Sequence, residues 1–336
     1  MSRPVFAFFT RSLRLESRQI TPYLARMALL ITMLLLLLGH HAQSRFRGAP
    51  GLDFFASLVY TNLVFLTAAG IVYFASAIAE EREEMTLGLL RMTRLSPLSI
   101  LMGKSVSRLL GASFLLLVQM PFTVLAVALG GVAMNQVLAA YVALLGYVVF
   151  LCGLALFWSV LMKTTANAGG MTAAVLAIFY AVPPLGLAVL RELTLAGKLS
   201  STGLFHRVAA EVLEFMGDSS PFVRVQEVMA MGFAGSPVAF QPLSNLAAGV
   251  GFFLLAWIAF DWATREQREA APSRWGLLRG RGRFHVFSPG RAWSRALVWK
   301  DFNFLAGGVT LMVLKFLIYG VTIVAGYVCA RRWRWA

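Results

Sequence analysis

Long apolar blocks separated by short polar connections set the pattern of this chain. Six blocks, 54–79, 109–134, 137–162, 169–190, 245–263 and 304–330, meet or approach the length of about 20 apolar residues that a helix needs to cross roughly 30 Å of hydrocarbon. A seventh, 24–39, is shorter and carries Arg26 near its start, a place from which a guanidinium can snorkel to the interface. Block length leaves tilt open. The pattern predicts an all-α, polytopic transmembrane helical bundle, with six spans inside residues 1–263 and a seventh in the C-terminal segment 304–336.

The polar connections have character of their own. Residues 1–22 place Arg3, Arg11, Arg14 and Arg18 among Phe6, Phe8, Phe9 and Leu13, and no small-residue cleavage site follows. This predicts an interfacial entry helix and no signal peptide, with a disordered basic tail as the alternative. In 191–241, Val208, Val212 and Phe215 recur at helical spacing. Asp218-Ser219-Ser220-Pro221 then reads as a cap with proline opening a second helix, whose Phe222, Val225, Val228 and Met229 share a face. Two short helices on the outer leaflet are expected, since the stretch is too short for a sizeable core. The linker 264–303 is basic and glycine-rich. Its end, from Arg291 through Trp293 and Trp299 to Phe302, echoes the aromatic and basic opening, either as a weak internal repeat with a second interfacial helix or by shared interface composition.

Composition agrees with lipid as the solvent: 59% of the 336 residues are hydrophobic and 13% charged, where a soluble domain is nearer a quarter charged. The formal charge of +15 changes the picture only through its placement. An N-terminus inside the cell puts 1–23, 80–108, 163–168 and 264–303 on the cytoplasmic side, and these hold most of the lysines and arginines. Topology and anionic lipid therefore account for the excess charge, and no nucleic acid partner is required. Arg331, Arg332 and Arg334 would fall outside after seven spans, against this rule. Lys315, about one turn or roughly 6 Å inside the last span, can snorkel out. Cys152 and Cys329 lie within apolar blocks and read as packing residues, and His40, His41, His206 and His285 lack metal-ligand spacing.

The most informative connection is 80–104. Glu80, Glu81, Glu83 and Glu84 stand at the end of the second span. A short helix-like run over 84–93 follows, with Met85, Leu87, Leu89, Leu90 and Met92. Ser96-Pro97 then caps a helix that merges with the third span. An apolar helix lying along the membrane surface can fit a groove on a cytoplasmic partner, with the charges setting orientation. An ordinary charged loop is the alternative.

Glu-x-Glu-x-x-Thr-Leu-x-Leu-Leu followed by Thr-x-Leu-Ser-Pro-x-x-Ile-x-x-Gly-Lys resembles the cytoplasmic signature of type-2 ATP-binding-cassette (ABC) transporter permeases, the exporter class. The matching positions are Glu81, Glu83, Thr86, Leu87, Leu89, Leu90, Thr93, Leu95, Ser96, Pro97, Ile100, Gly103 and Lys104. Met85 stands where the family usually has glycine. The resemblance covers about 1–263 and implies a permease subunit in the inner (cytoplasmic) membrane, working as a homodimer or heterodimer. It also implies that 80–104 is a coupling helix, with Glu80 and Glu84 in its acidic opening, docking on a separate ATPase subunit that holds ATP and magnesium. Trp299-Lys300-Asp301-Phe302 resembles the start of a second permease half, here truncated or divergent.

Gly103-Lys104-Ser105 is no phosphate-binding loop, because position 98 is Leu where that loop needs glycine. No nucleophile and base can be paired, so no catalytic residue, cofactor or metal ligand is assigned to this chain. Two other readings remain at this point. A secondary transporter would want ionisable groups at the midplane, and only Asn62, Gln119 beside Pro121, and Pro183-Pro184 offer themselves. A membrane assembly or scaffold protein would share every feature of composition.

Overall fold

A computed structural model describes residues 20–43, 50–88, 96–196 and 203–265. The entry helix, the linker with its second interfacial helix, the C-terminal span with Lys315, and Leu89, Leu90, Thr93 and Leu95 lie outside the described residues. All regular structure among the described residues is α-helical: α1 Ile20–Gln43, α2 Pro50–Glu83, α3 Pro97–Val118, α4 Met120–Ala128, α5 Met134–Leu161, α6 Thr165–Leu195, α7 Leu204–Asp218, α8 Pro221–Val228 and α9 Phe240–Arg265. Among the described residues, five stretches are long and apolar enough to cross a membrane: Gly51–Glu83, Pro97–Ala128, Met134–Leu161, Thr165–Leu195 and Phe240–Ala263. The apolar part of α1, Tyr23–Gly39, is shorter, and Arg26 lies over the Tyr23 ring at 5.6 Å. The protein is thus an all-α helical bundle of membrane-spanning character.

Most helices outrun their apolar blocks, because a helix does not stop where hydropathy changes. It stops where its backbone is interrupted. The block 109–134 is the instructive departure: α3 starts twelve residues early at Pro97, breaks at Gln119, and resumes as α4. Pro121, in the first turn of α4, has no N–H to continue the ladder. Gly130 and Gly131, both at positive φ (88° and 84°), end α4 before α5 begins. Pro183 and Pro184, by contrast, lie within the continuous run of α6.

The chain divides into two compact units. The first comprises Met1–Thr172 with Glu214–Ile258, the second Ala173–Leu213 with Ala259–Ala336. In the first, α5 is the centre: 72% of its most apolar stretch is buried, against 28% for α3 and α4. A helix apolar on all sides can be covered by other helices or by lipid, and here other helices supply most of the cover. It packs against α2, α3 and α8, and against α9 so closely that side chains are excluded. A Cβ on Gly153 would stand 2.1 Å from the Gly249 carbonyl oxygen, and one on Gly249 would stand 2.6 Å from that of Val149. In the second unit, a Cβ on Gly186 would meet Leu213 side-chain atoms at 2.7 Å.

Buried polar pairs cross-link the first unit. Asn62 on α2 donates to Gln119 Oε1 at 2.5 Å. The hydroxyls of Thr67 and Tyr147 join α2 to α5 at 2.7 Å, and those of Thr123 and Tyr141 join α4 to α5 at 2.7 Å. Such bonds contribute about 0.6–2 kcal/mol each between helices in lipid.

The close approach of α5 and α9 makes a clear prediction. Overpacking costs about 1–3 kcal/mol, so Gly153→Val should lower the thermal unfolding midpoint of the detergent-purified protein by roughly 5 °C. Gly251→Ala, where a Cβ meets nothing within 4 Å, should leave it unchanged.

Candidate functional site

The connection between α2 and α3 is built on the way α2 stops. Met85 N donates to the Arg82 carbonyl at 3.2 Å and Thr86 N to the Glu81 carbonyl at 2.9 Å. This pair of bonds is a Schellman motif, which needs its C′ residue in the left-handed region. That residue is Met85, at φ 59°, the one non-glycine residue with positive φ among those described. Glycine is the usual occupant, since a Cβ there costs about 1–2 kcal/mol. The Thr86 hydroxyl returns to the Glu81 carboxylate and closes the turn. The helix expected over 84–93 therefore starts later than its pattern suggested: Glu84 and Met85 form the turn, and helix resumes at Leu87 and Gly88.

Glu81 also receives the Lys104 ammonium at 2.6 Å. One turn further along α3, the Arg108 guanidinium reaches Glu80 at 3.5 Å, Ser76 Oγ at 2.8 Å and the Tyr73 carbonyl. The i, i+4 spacing of Lys104 and Arg108 puts both cations on the face of α3 that meets α2. Ser96, extended at φ −67° and ψ 149°, accepts from Ser99 N, and Pro97 follows as the first helical residue. The predicted cap is present, with Gly103 buried on the same helix.

Two neighbours in sequence serve two different helices. Arg82, buried, donates to the Met162 carbonyl at 3.0 Å, at the C-terminal end of α5. Glu83 accepts from Thr165 N at 2.8 Å and from its hydroxyl at 2.9 Å, at the N-terminus of α6. Each charge thus meets the helix end of opposite partial charge. Nearby, Ser159 Oγ lies 2.9 Å from both Ile78 N and Ala79 N, joining α5 to α2.

These contacts give residues read from the sequence as partner-facing a second set of partners within the chain. Glu80, Glu81, Glu83 and Lys104, read as charges that orient a partner, are engaged inside the chain. Leu87, read as part of a partner-facing ridge, is 1% exposed and holds the turn against the chain's own core. Glu80, Glu83, Glu84, Met85 and Gly88 are nonetheless exposed, Met85 at 78%. Sequence reasoning missed Arg82, Ser159, Met162 and Thr165. Arg82, a lone cation among four acids beside the very short 162–164 connection, was the available signal. No protein-family model matches the chain, and no curated protein sequence matches it.

The left-handed turn yields a prediction on stability. Met85→Gly should raise the unfolding midpoint by a few degrees, corresponding to about 1 kcal/mol from the relieved Cβ. Met85→Val, whose branched Cβ fits positive φ less well, should lower it. Thermal unfolding of both variants in the same detergent checks the order.

Proposed function

We propose that this chain is the membrane-spanning permease subunit of an ATP-driven exporter, coupled to a separate ATPase through 80–104. The observation that carries the reading is the turn at Met85. The resemblance to type-2 ABC permeases calls for glycine there, and the backbone at this residue adopts the conformation that glycine favours. Supporting it, 80–88 is fastened to three helices at once: to α5 through Arg82, to α6 through Glu83 and to α3 through Glu81 and Lys104. A displacement applied to the exposed residues of this turn is carried into those helices as a unit, as a coupling element requires.

On this reading Glu84, Met85 and Gly88, with Leu89 and Leu90 of the sequence motif, meet the ATPase. Leu87, Glu81 and Lys104 position the segment from behind. ATP and magnesium belong to that partner. A permease homodimer or heterodimer in the inner membrane, with a cytoplasmic N-terminus, completes the assembly.

Two experiments test this. Purification from the native membrane should bring a cassette ATPase with the chain. Leu90→Asp should cut its retention at least tenfold, since burying a leucine contributes roughly 1.5–3 kcal/mol, while membrane insertion is preserved. Wild-type retention in Leu90→Asp, or preparations with no cassette ATPase, would sink the proposal. For orientation, a cysteine at Glu84 should react with an impermeant thiol reagent only after permeabilisation, and one at Val238 in intact cells. The reverse pattern overturns the cytoplasmic placement of 80–104.

A further inference from the structure

Helix α7 runs from Leu204 to Asp218 and has no fully buried residue. At about 100° per residue its side chains sort into three sectors. His206, Ala209, Leu213 and Met216 are half-buried and form the back of the helix. Leu213 rests on α6, where a Cβ added at Gly186 would meet its side chain at 2.7 Å. Leu204, Phe205, Val208, Val212 and Phe215 share an arc of roughly 100° and are 51–80% exposed. Arg207, Glu211, Glu214 and Asp218, all exposed, fill a third sector of roughly 60°. The sequence pattern gives this helix two sides, and packing supplies the third.

A contiguous apolar surface left open on a folded protein marks a contact, and two observations say with what. The first is the position along α6. Gly186 comes about 7.5 Å before Arg191 and Glu192, the exposed charges near the end of that candidate span. The turn of α7 at Leu213 therefore lies beside the apolar part of α6, not beyond its charged end. The second is the charge of the third sector. Three carboxylates and one guanidinium leave it net negative. Antiparallel pairing across the apolar face with a second copy would thus set one acidic flank against the other. Helices drawn to a membrane by charge carry lysine and arginine in this place instead.

We propose that the open face of α7 binds the hydrocarbon edge of a lipid leaflet, with the acidic sector in water, and that it takes charge-neutral phospholipid without help from anionic headgroups. Apolar burial then supplies the attraction. Salt leaves it in place, whereas attraction to anionic lipid would be screened. This contact is independent of the coupling role of 80–104.

The test uses the full chain with Cys152 and Cys329 replaced by alanine, in vesicles of phosphatidylcholine or of an equal mixture with phosphatidylglycerol. A nitroxide on Val208→Cys or Glu211→Cys reports collisions with oxygen, which concentrates in hydrocarbon, and with a water-soluble nickel chelate. The ratio of oxygen to chelate collisions should be roughly fivefold higher at 208 than at 211, in both lipids and at low and high salt. Val212→Cys takes the place of Val208→Cys if that label lowers the unfolding midpoint. Equal ratios at 208 and 211 would mean an aqueous face. Shielding of 208 from both reagents would mean cover by protein, by a second copy where the labels broaden one another. Either result overturns the proposal, and so does a high ratio at 208 that appears only with phosphatidylglycerol or is lost at high salt.

Discussion

The close approach of α5 to its neighbours is the constraint on which the first unit depends. In lipid there is no hydrophobic gain from bringing one apolar helix to another, so packing density and interhelical hydrogen bonds must hold the bundle. Gly146, Gly153 and Gly249 supply the density: at each, an added Cβ would come within 3.0 Å of backbone atoms on the facing helix. Asn62, Thr67, Thr123 and their partners supply the bonds. Neither set would suffice on a helix with a polar face, because that face would have to be kept from hydrocarbon. The uniform apolarity of α5 is what permits it to be surrounded.

Because α5 is surrounded, its two ends become fixed reference points. At one end the Met162 carbonyl takes the Arg82 guanidinium. At the other, Asn135 and Gln136 hold the segment that follows α8. A helix of 28 residues is about 42 Å long, so the two polar structures stand far apart at its opposite ends. The turn at Met85 and the segment that follows α8 both take their positions from this one element.

The buried charges follow the same logic. Arg82, Arg108 and Arg224 are nearly inaccessible, and a buried cation is tolerable only when paired and hydrogen-bonded. Arg82 uses a helix C-terminus, Arg108 a carboxylate with a carbonyl and a hydroxyl, and Arg224 a carboxylate with a carbonyl and an aromatic face. Glu80, Glu81 and Glu83 are their counterparts, or the counterparts of Lys104 and α6. The acidic cluster thus fastens the turn internally while Glu80, Glu83 and Glu84 stay exposed.

How far the sequence reaches can be judged from particular elements. The five spanning stretches, the Ser96 cap, the amphipathic stretch within α7 and the proline start of α8 were all legible, because hydropathy and capping act over one or two turns of chain. Ser220 stands before Pro221 as expected, although its side chain makes no cap bond. The break at Gln119 was only half legible: Pro121 was noticed, yet the block 109–134 read as one span. The Glu81–Lys104, Arg82–Met162 and Gln136–Val228 pairings were not legible, since each joins residues far apart in the chain. By itself, then, the sequence determined the helices, their apolar character and the motif at 80–104. Tertiary structure alone decided that Leu87 is buried and that Glu80, Glu81 and Glu83 each bind a group elsewhere in the chain. Local pattern governs whether a helix forms, but which face is covered depends on partners that only folding brings near.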